Sequence, residues 1–534
     1  MRKIGIFTAY PPYVKLSQEG LGRLMVFIMK GMVENGDKVT ILAPSWHRKE
    51  IKELLKEQLL EKTIKIRTMR YHAPVLLLIY QLLYYFKHRE RKEKKRNFWA
   101  DVVNFLMSIV YSALSSYSFI LFTLQFIVLM IIGIPILIIV GLYAAVRVVL
   151  QNKWVRKMLK PLKIVDVSRY IRFIPQKLKG DALALGVLNT VRKYEIRKMV
   201  KFVNKSDIEY WYIPNIFWNE TLKIKKKRSL VAPDVVYADF PNRYSPLMSF
   251  KYTSENIDDL LSKQPKLVCY SNYVAEQHLA HLRDVRRANI QVIPHGAMEL
   301  SEHLTAGLSA KEIVEAYLRN PYRETPNIEY VRQMRLAECD FLFYSSQYRY
   351  HKNVPMLLNV LARLIREEKM SIKLVLTCAN YWDLEEMVEK LNLSRDVIFL
   401  PRVPEAVLAG LNGLARLHVN PSLFEGAFPF TFTESVSCGT PSVMADIPVS
   451  REIVTDEELR KMMFFDPYDE DSMMERIKWA LAHRDELLAA QLPLFEKIKQ
   501  RSWADVAEEY VQSMRYFTLR KMPKRRRRAW KRKR

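Results

Sequence analysis

The sequence predicts an α/β protein: two Rossmann-like halves facing one another across a cleft, with an α-helical hydrophobic hairpin inserted into the first half. Three observations predict it. Short apolar runs alternate with amphipathic helical stretches through both halves of the chain, the pattern of parallel sheets covered by helices. The length of 534 residues exceeds what one ordinary core supports, so two or three domains are expected. A long uncharged stretch, Val102–Val146, interrupts the first half. Hydrophobic content of 49% with 27% charged residues excludes wholesale disorder.

Residues 1–71 open the first Rossmann-like domain: "KIGIFTAY" reads as a strand, "EGLGRLMVFIMKGMVENG" as a helix and "KVTILAPS" as a further strand. A strand followed by a loop at the start gives no expectation of a signal peptide. Residues 72–180 form the membrane-associated helical insertion. Val102–Val146 holds 45 residues without a charged side chain, more than the roughly 20 that a span needs. Basic "KHRERKEKKR" precedes it, and Arg147, Lys153, Arg156, Lys157, Lys160 and Lys163 follow. Basic flanks stay cytoplasmic, so the chain leaves and returns on one side and the number of crossings is even or zero. The breaks at "SALSSYS" and Gly133-Ile134-Pro135 leave one leg short for a full crossing. Two spans and a re-entrant hairpin therefore both stay open. "PVLLLIYQLLYYF" (Pro74–Phe86) and "WVRKMLKPLKIVDVSRYIRFI" read as helices lying in the headgroup region.

Residues 181–300 resume the first domain through "DIEYWYIPN", "SLVAPDVVYADF", "KLVCYSNYVAEQHLAHL" and "IQVIPHG". Residues 301–337 lack strand periodicity and read as a linker. Residues 338–502 form the second Rossmann-like domain, from "CDFLFYSSQ" to "MMFFDPYDEDSMMERIKWALAHRDE", without a sequence-level repeat of the first. Residues 503–519 read as a helix returning towards the first domain, and 520–534 as a polybasic tail.

The formal charge of +28 implies contact with a polyanion. Eleven of the last fifteen residues are Lys or Arg, with Trp530 among them. The apolar insertion favours anionic membrane lipid over nucleic acid as their partner, at about 1 kcal/mol per basic residue near the surface. Four scattered cysteines, Cys269, Cys339, Cys378 and Cys438, have neither metal-ligand nor disulfide spacing, which fits a reducing setting.

The chemistry-bearing motifs fall at strand ends. Gly20 and Gly22 follow the first strand and open a helix, where glycines let the backbone approach a phosphate. Arg349 and Lys352, in "SSQYRYHKN", lie between a strand and a helix N-terminus, a place suited to neutralising a diphosphate. His351 between them reads as a bystander and His295, in "IPHG", as a strand-end turn residue. "SLFEGAFPFTFTESVSCGTP" carries Glu425 and Glu434, nine positions apart. Thr433 reads as an N-cap, placing Glu434 in the first turn of a short helix ending at Gly439. The helix dipole would keep that carboxylate ionised, which argues against a general acid and for a clamp on vicinal hydroxyls. Glu425, on a loop beside Gly426 and Ala427, could do the same for a sugar.

Taken together, these segments resemble the retaining family-4 glycosyltransferases of the GT-B fold (glycosyl transferases group 1). The resemblance is carried by "SQYRYHKN", "NPSLFEGAFPFTFTESVSCGTPSVMADIPVSREI", "FFDPYDED" and "SWADVAEEYVQ" in the second half, and by "EGLGR", "APDVVYADFP", "SNYVAEQHL" and "VIPHG" in the first. It implies a nucleotide-sugar co-substrate, no other cofactor and no metal. By that resemblance Arg349 and Lys352 bind the diphosphate, Glu425 the donor sugar and Glu434 the nucleotide ribose. Arg349, Lys352 and Glu425 form the catalytic set. The backbone of Ala427, Phe428 and Pro429 borders the sugar, and Gly20 and Gly22 approach the diphosphate from the other half. Two departures stand out: many members space the glutamates eight apart, and many carry His where this chain has Pro233. Asp234 is assigned a further sugar or acceptor contact.

The resulting expectation is a transferase on the cytoplasmic face of the cell inner membrane. It would move a sugar with retention to a lipid-linked or membrane-presented glycan. Two rivals are a polysaccharide-elongating transferase that uses the hairpin only as an anchor, and a catalytically silent membrane scaffold of the same fold.

Overall fold

A computed structural model describes residues 1–12, 14, 16, 20–69, 123, 127, 180–244, 248–304, 307–322 and 325–516. The insertion, apart from single positions within it, and the polybasic tail lie outside the described residues. Among the described residues no helix is long and apolar enough to cross a membrane.

The first sheet has the order β3-β2-β1-β4-β5, built from β1 (Lys3–Phe7), β2 (Lys38–Ala43), β3 (Lys65–Thr68), β4 (Tyr210–Ile213) and β5 (Lys227–Leu230). All its pairings are parallel. A parallel pair, β6 (Leu267–Cys269) and β7 (Ile290–Val292), continues it through a bridge from Val231 to Val268. The second sheet, also parallel, has the order β10-β9-β8-β11-β12-β13. Its strands are β8 (Phe341–Tyr344), β9 (Lys373–Leu376), β10 (Val397–Phe399), β11 (Leu417–Asn420), β12 (Ser442–Ala445) and β13 (Phe464–Phe465). Strands covered on both faces read as near-continuous apolar runs; Phe341–Tyr344 is apolar and buried at every position, and Leu417–Asn420 is buried throughout although it holds His418, whose Nδ1 lies 2.9 Å from the Ser442 hydroxyl, and Asn420.

Each first βα unit shows why its residues fold as they do. Helix Gly20–Glu34 buries Leu24, Met25, Ile28, Met29 and Met32, which lie on one stripe at helical spacing. It ends before Gly36, at φ +75°, where a side chain would be strained. Helix Val354–Arg366 begins after Asn353 in the left-handed region, with Pro355 in its first turn where no N–H is needed. Its Leu357, Leu358 and Leu361 are fully buried, worth about 1.5–3 kcal/mol each by area.

The segment 301–337 connects the halves, and its described residues include a packed helix. Helix Ala310–Arg319, with a Ser309–Glu312 capping box, packs on helix Glu405–Leu414 and joins the core of the second half through Val314 and Leu318. The last described helix, Trp503–Tyr516, belongs to the core of the first half. Val506, Tyr510 and Met514 pack there, and Glu508 accepts from Arg2 at 2.5 Å. Gly31 is required by this return, since a Cβ there would lie 2.0 Å from the Trp503 carbonyl.

Candidate functional site

In an open parallel sheet, ligands bind beyond the carboxyl ends of strands where the order reverses. That point lies between β1 and β4 in the first sheet and between β8 and β11 in the second. The loops leaving β8 and β11 carry Arg349, Lys352 and Glu425, and the helix after β11 carries Glu434. The helix after β1 carries Gly20, Gly22 and Arg23.

Lys352 Nζ donates to Glu425 Oε1 at 2.6 Å, and both side chains are mostly buried. Burial opposes the charge of Lys352, but the Glu425 carboxylate outweighs it and holds the ammonium above its ordinary value. The loop is fixed beneath them: Leu423 N donates to the His351 carbonyl at 2.7 Å, and the Tyr344 and Ser422 hydroxyls lie 2.9 Å apart. Arg349 is exposed, within hydrogen-bond distance of Gln347. His351 is buried, and its ring is pushed down to about 3 by burial, with Lys352 and Arg349 adding to the effect.

Glu434 is 2% exposed, and its partner comes from the opposite half: Arg23 Nη1 donates to Glu434 Oε1 at 2.7 Å. Arg23 also lies 3.6 Å from Glu405, which accepts from Gln58 at 2.8 Å. Burial would lower the Arg23 guanidinium, but Glu434 and Glu405 more than offset it. Each glutamate of the pair is therefore neutralised by its own cation, one within its half and one across the cleft.

The N-cap assignment is corrected. The helix runs Phe430–Ser437 with Pro429 at the cap, so Glu434 lies in the second turn, beyond the reach of the dipole argument. Thr433 is interior; its hydroxyl accepts from the Met298 amide at 3.0 Å, fastening the connecting chain to this helix. The helix does end ahead of Gly439, at φ +80°. His295 is more than a turn residue. Its ring stacks on Phe430 at 4.9 Å and 7°, and burial pushes it down to about 3, aided by Arg501. The two glycines differ as well: a Cβ on Gly20 would meet nothing within 4 Å, whereas one on Gly22 would lie 1.8 Å from the Leu16 carbonyl. Only Gly20 offers an open approach.

Contacts that the sequence did not reveal close the two halves on each other. A Cβ on Gly426 would lie 2.4 Å from the Pro233 carbonyl, and Ser271 Oγ donates to the Gly426 carbonyl at 3.0 Å. Ala427, Phe428 and Pro429 follow directly, Phe428 packing edge-on against Phe432 at 5.3 Å. Glu452 accepts from the Asn272 amide at 2.8 Å and from the Tyr273 amide. Asp234, beside Pro233, is half-buried, and burial raises its carboxyl against the pull of the Val236 amide, Arg349, His278 and Lys352. Arg23, Glu452 and Gly426 were all within the quoted motifs; what the sequence lacked was their partners in the other half.

Residues 333–492 match the family model described as Glycosyl transferases group 1. No curated protein matches the sequence significantly. In fold the chain is similar to sucrose-phosphate synthase from Thermosynechococcus elongatus, at 12% identity and TM-score 0.53, covering 96% of this chain and 98% of that one. It is similar to the Anabaena protein HepE in complex with UDP-glucose, at 10% identity and TM-score 0.54, covering 96% and 100%. A third likeness is to "Trehalose-6-phosphate from E. coli bound with UDP-2-fluoro glucose", at 11% identity and TM-score 0.52, covering 96% and 99%. These matches support a GT-B-like α/β fold with a glycosyl transferases group 1 domain in its second half.

Proposed function

We propose that this chain is a membrane-associated glycosyltransferase. It would move a sugar, with retention, from a nucleotide-sugar donor to a lipid-linked or membrane-presented glycan on the cytoplasmic face of the inner membrane. The observation that carries the reading is the convergence of Arg349, Lys352, Glu425 and Glu434 at the switch point of the second sheet, facing the Gly20 opening and Arg23 of the first. Solved neighbours that bind UDP-glucose or a fluorinated UDP-glucose support a nucleotide sugar as donor.

In this reading the donor diphosphate takes over Lys352, with Arg349 beside it. Glu425, released from its pair, accepts hydroxyl hydrogen bonds from the sugar, and Glu434 does so from the ribose in place of Arg23. The bond from the anomeric carbon to the diphosphate oxygen breaks, and its electron pair leaves with the diphosphate, stabilised by the two cations. An acceptor hydroxyl adds to the same face of the oxocarbenium-like centre, and its proton passes to the departing diphosphate. No residue need act as an acid and no metal enters the scheme. The basic flanks, the apolar insertion and the tail support placing the cleft against anionic lipid.

Screening the purified protein against UDP-, GDP- and dTDP-sugars for slow hydrolysis tests the reading. One donor should turn over, and Lys352→Ala or Glu434→Ala should reduce that turnover at least a hundredfold. Failure to bind any nucleoside diphosphate would sink the transferase and leave the silent scaffold.

A further inference from the structure

Next to Glu425 a cavity of about 270 Å³ opens between the halves. The first half contributes Asp239, Phe240 and Tyr273; the second contributes Phe424, Asp446 and Tyr468, and Glu425 stands at its border. Its size lies near the lower bound of small-molecule sites, room for about one sugar ring. The lining combines aromatic faces with carboxylates, the two chemistries that recognise a carbohydrate. Rings cover its C–H faces, and carboxylate oxygens accept from its hydroxyls.

The parts are held in place before any ligand arrives. Phe424 stacks on the buried ring of His278 at 5.0 Å and 7°, and His278 Nε2 lies 2.9 Å from Asp239 Oδ2. Asp446 is gripped by Arg451 through paired contacts of 2.5 and 2.6 Å. Glu452 fixes the backbone of Tyr273. Tyr468, in contrast, is 75% exposed at the rim, a ring available to cover a ligand. Among the described residues, no Lys or Arg lines the cavity. A phosphorylated sugar would therefore find for its dianion only Lys352 and Arg451, each already paired with a carboxylate of the lining, Glu425 and Asp446.

We infer that this cavity is the acceptor subsite and that it takes an unphosphorylated sugar unit, presenting its hydroxyl towards the donor sugar at Glu425. The inference rests on the transferase reading for the word acceptor, but sugar binding there can be measured separately. It also places much of the acceptor contact on the second half.

The test is saturation-transfer NMR on the full chain, with saturating UDP, GDP or dTDP, whichever binds. The probes are methyl α-glucoside, N-acetylglucosamine and glucose 6-phosphate. At least one uncharged sugar should receive saturation, and glucose 6-phosphate none. Tyr468→Ala and Asp239→Asn should each weaken the uncharged sugar at least tenfold and leave nucleotide affinity unchanged. Equal binding of glucose 6-phosphate, or no sugar binding while a nucleotide binds, overturns the inference. So does sugar binding indifferent to both variants, or a parallel loss of nucleotide affinity. If no nucleotide binds, the transferase reading falls; sugar binding that the variants abolish then still supports a sugar site, and its absence removes it.

Discussion

Replacing Gly426 by Ala tests whether the cleft works only when its halves meet at this loop. The added Cβ would lie 2.4 Å from the Pro233 carbonyl oxygen and 3.3 Å from Asp234 Cβ. The obstacle is backbone belonging to the other half, so it cannot rotate away. Overpacking of this kind costs roughly 1–3 kcal/mol. Parting the loops forfeits the Ser271–Gly426 hydrogen bond in parent and variant alike, so the clash alone distinguishes them. Separation of the halves relieves the clash without unfolding either one, so about 2 kcal/mol falls on the closed cleft, a factor of about 30 at 1.4 kcal/mol per decade. Release of nucleoside diphosphate from the active donor should therefore slow 10- to 100-fold in kcat/KM, by the same arithmetic. The circular-dichroism spectrum should be unchanged, and small-angle scattering should show a more open particle. Gly20→Ala, whose Cβ meets nothing, is the control and should keep its fold. A Gly426→Ala protein within threefold of the parent rate, with unchanged scattering, would refute the reasoning.

Arg23→Met leaves the buried Glu434 without its cation. Because Arg23 itself retains 23% exposure, the loss should sit near about 3 kcal/mol, the lower end for broken buried pairs. Thermal unfolding would read this, and an unchanged melting temperature would contradict it. The His418 ring is fully buried and pushed down to about 3 by burial. Its unfolded form thus binds more protons between about pH 6.5 and 3, so stability is full above that window and drains away as pH falls through it. The slope is about 1.4 kcal/mol per pH unit for such a group, and His47, His295 and His351 act in the same direction. His418→Asn should flatten the fall in melting temperature between pH 6 and pH 4; an identical slope would count against burial as the cause. Removing residues 520–534 should weaken binding to anionic liposomes and leave neutral ones unaffected, and unchanged binding would return the tail to a solvated role.

The alternation of strand and helix was legible because parallel strands such as Phe341–Tyr344 must be apolar on both faces, a local property. The positions of Arg349, Lys352 and Glu425 at strand ends were legible for the same reason. The hold on Glu434 was not. Its cation lies 411 residues earlier, and nothing around Glu434 in sequence marks that partner. Thr433 misled because a hydroxyl ahead of an acidic residue has the form of a cap; a proline four positions earlier started the helix first. The hydroxyl was instead needed by Met298, 135 residues away. Residues 301–337 lacked strand periodicity and so read as a linker, although Val314 and Leu318 supply the apolar stripe of a packed helix.

The strand order has a consequence for the insertion. In a parallel sheet every strand delivers its chain to the same edge, so Thr68 at the end of β3 leaves the fold on the edge from which the Gly20 helix also starts. The chain must then travel from the outermost strand to β4 beside β1, a crossover that the topology requires whatever its length. Stretching it from a dozen residues to the interval between Met69 and Gly180 is roughly three doublings, about 2 kcal/mol of closure entropy. A long accessory segment could thus be acquired there at small thermodynamic penalty, rooted at the rim of the cleft.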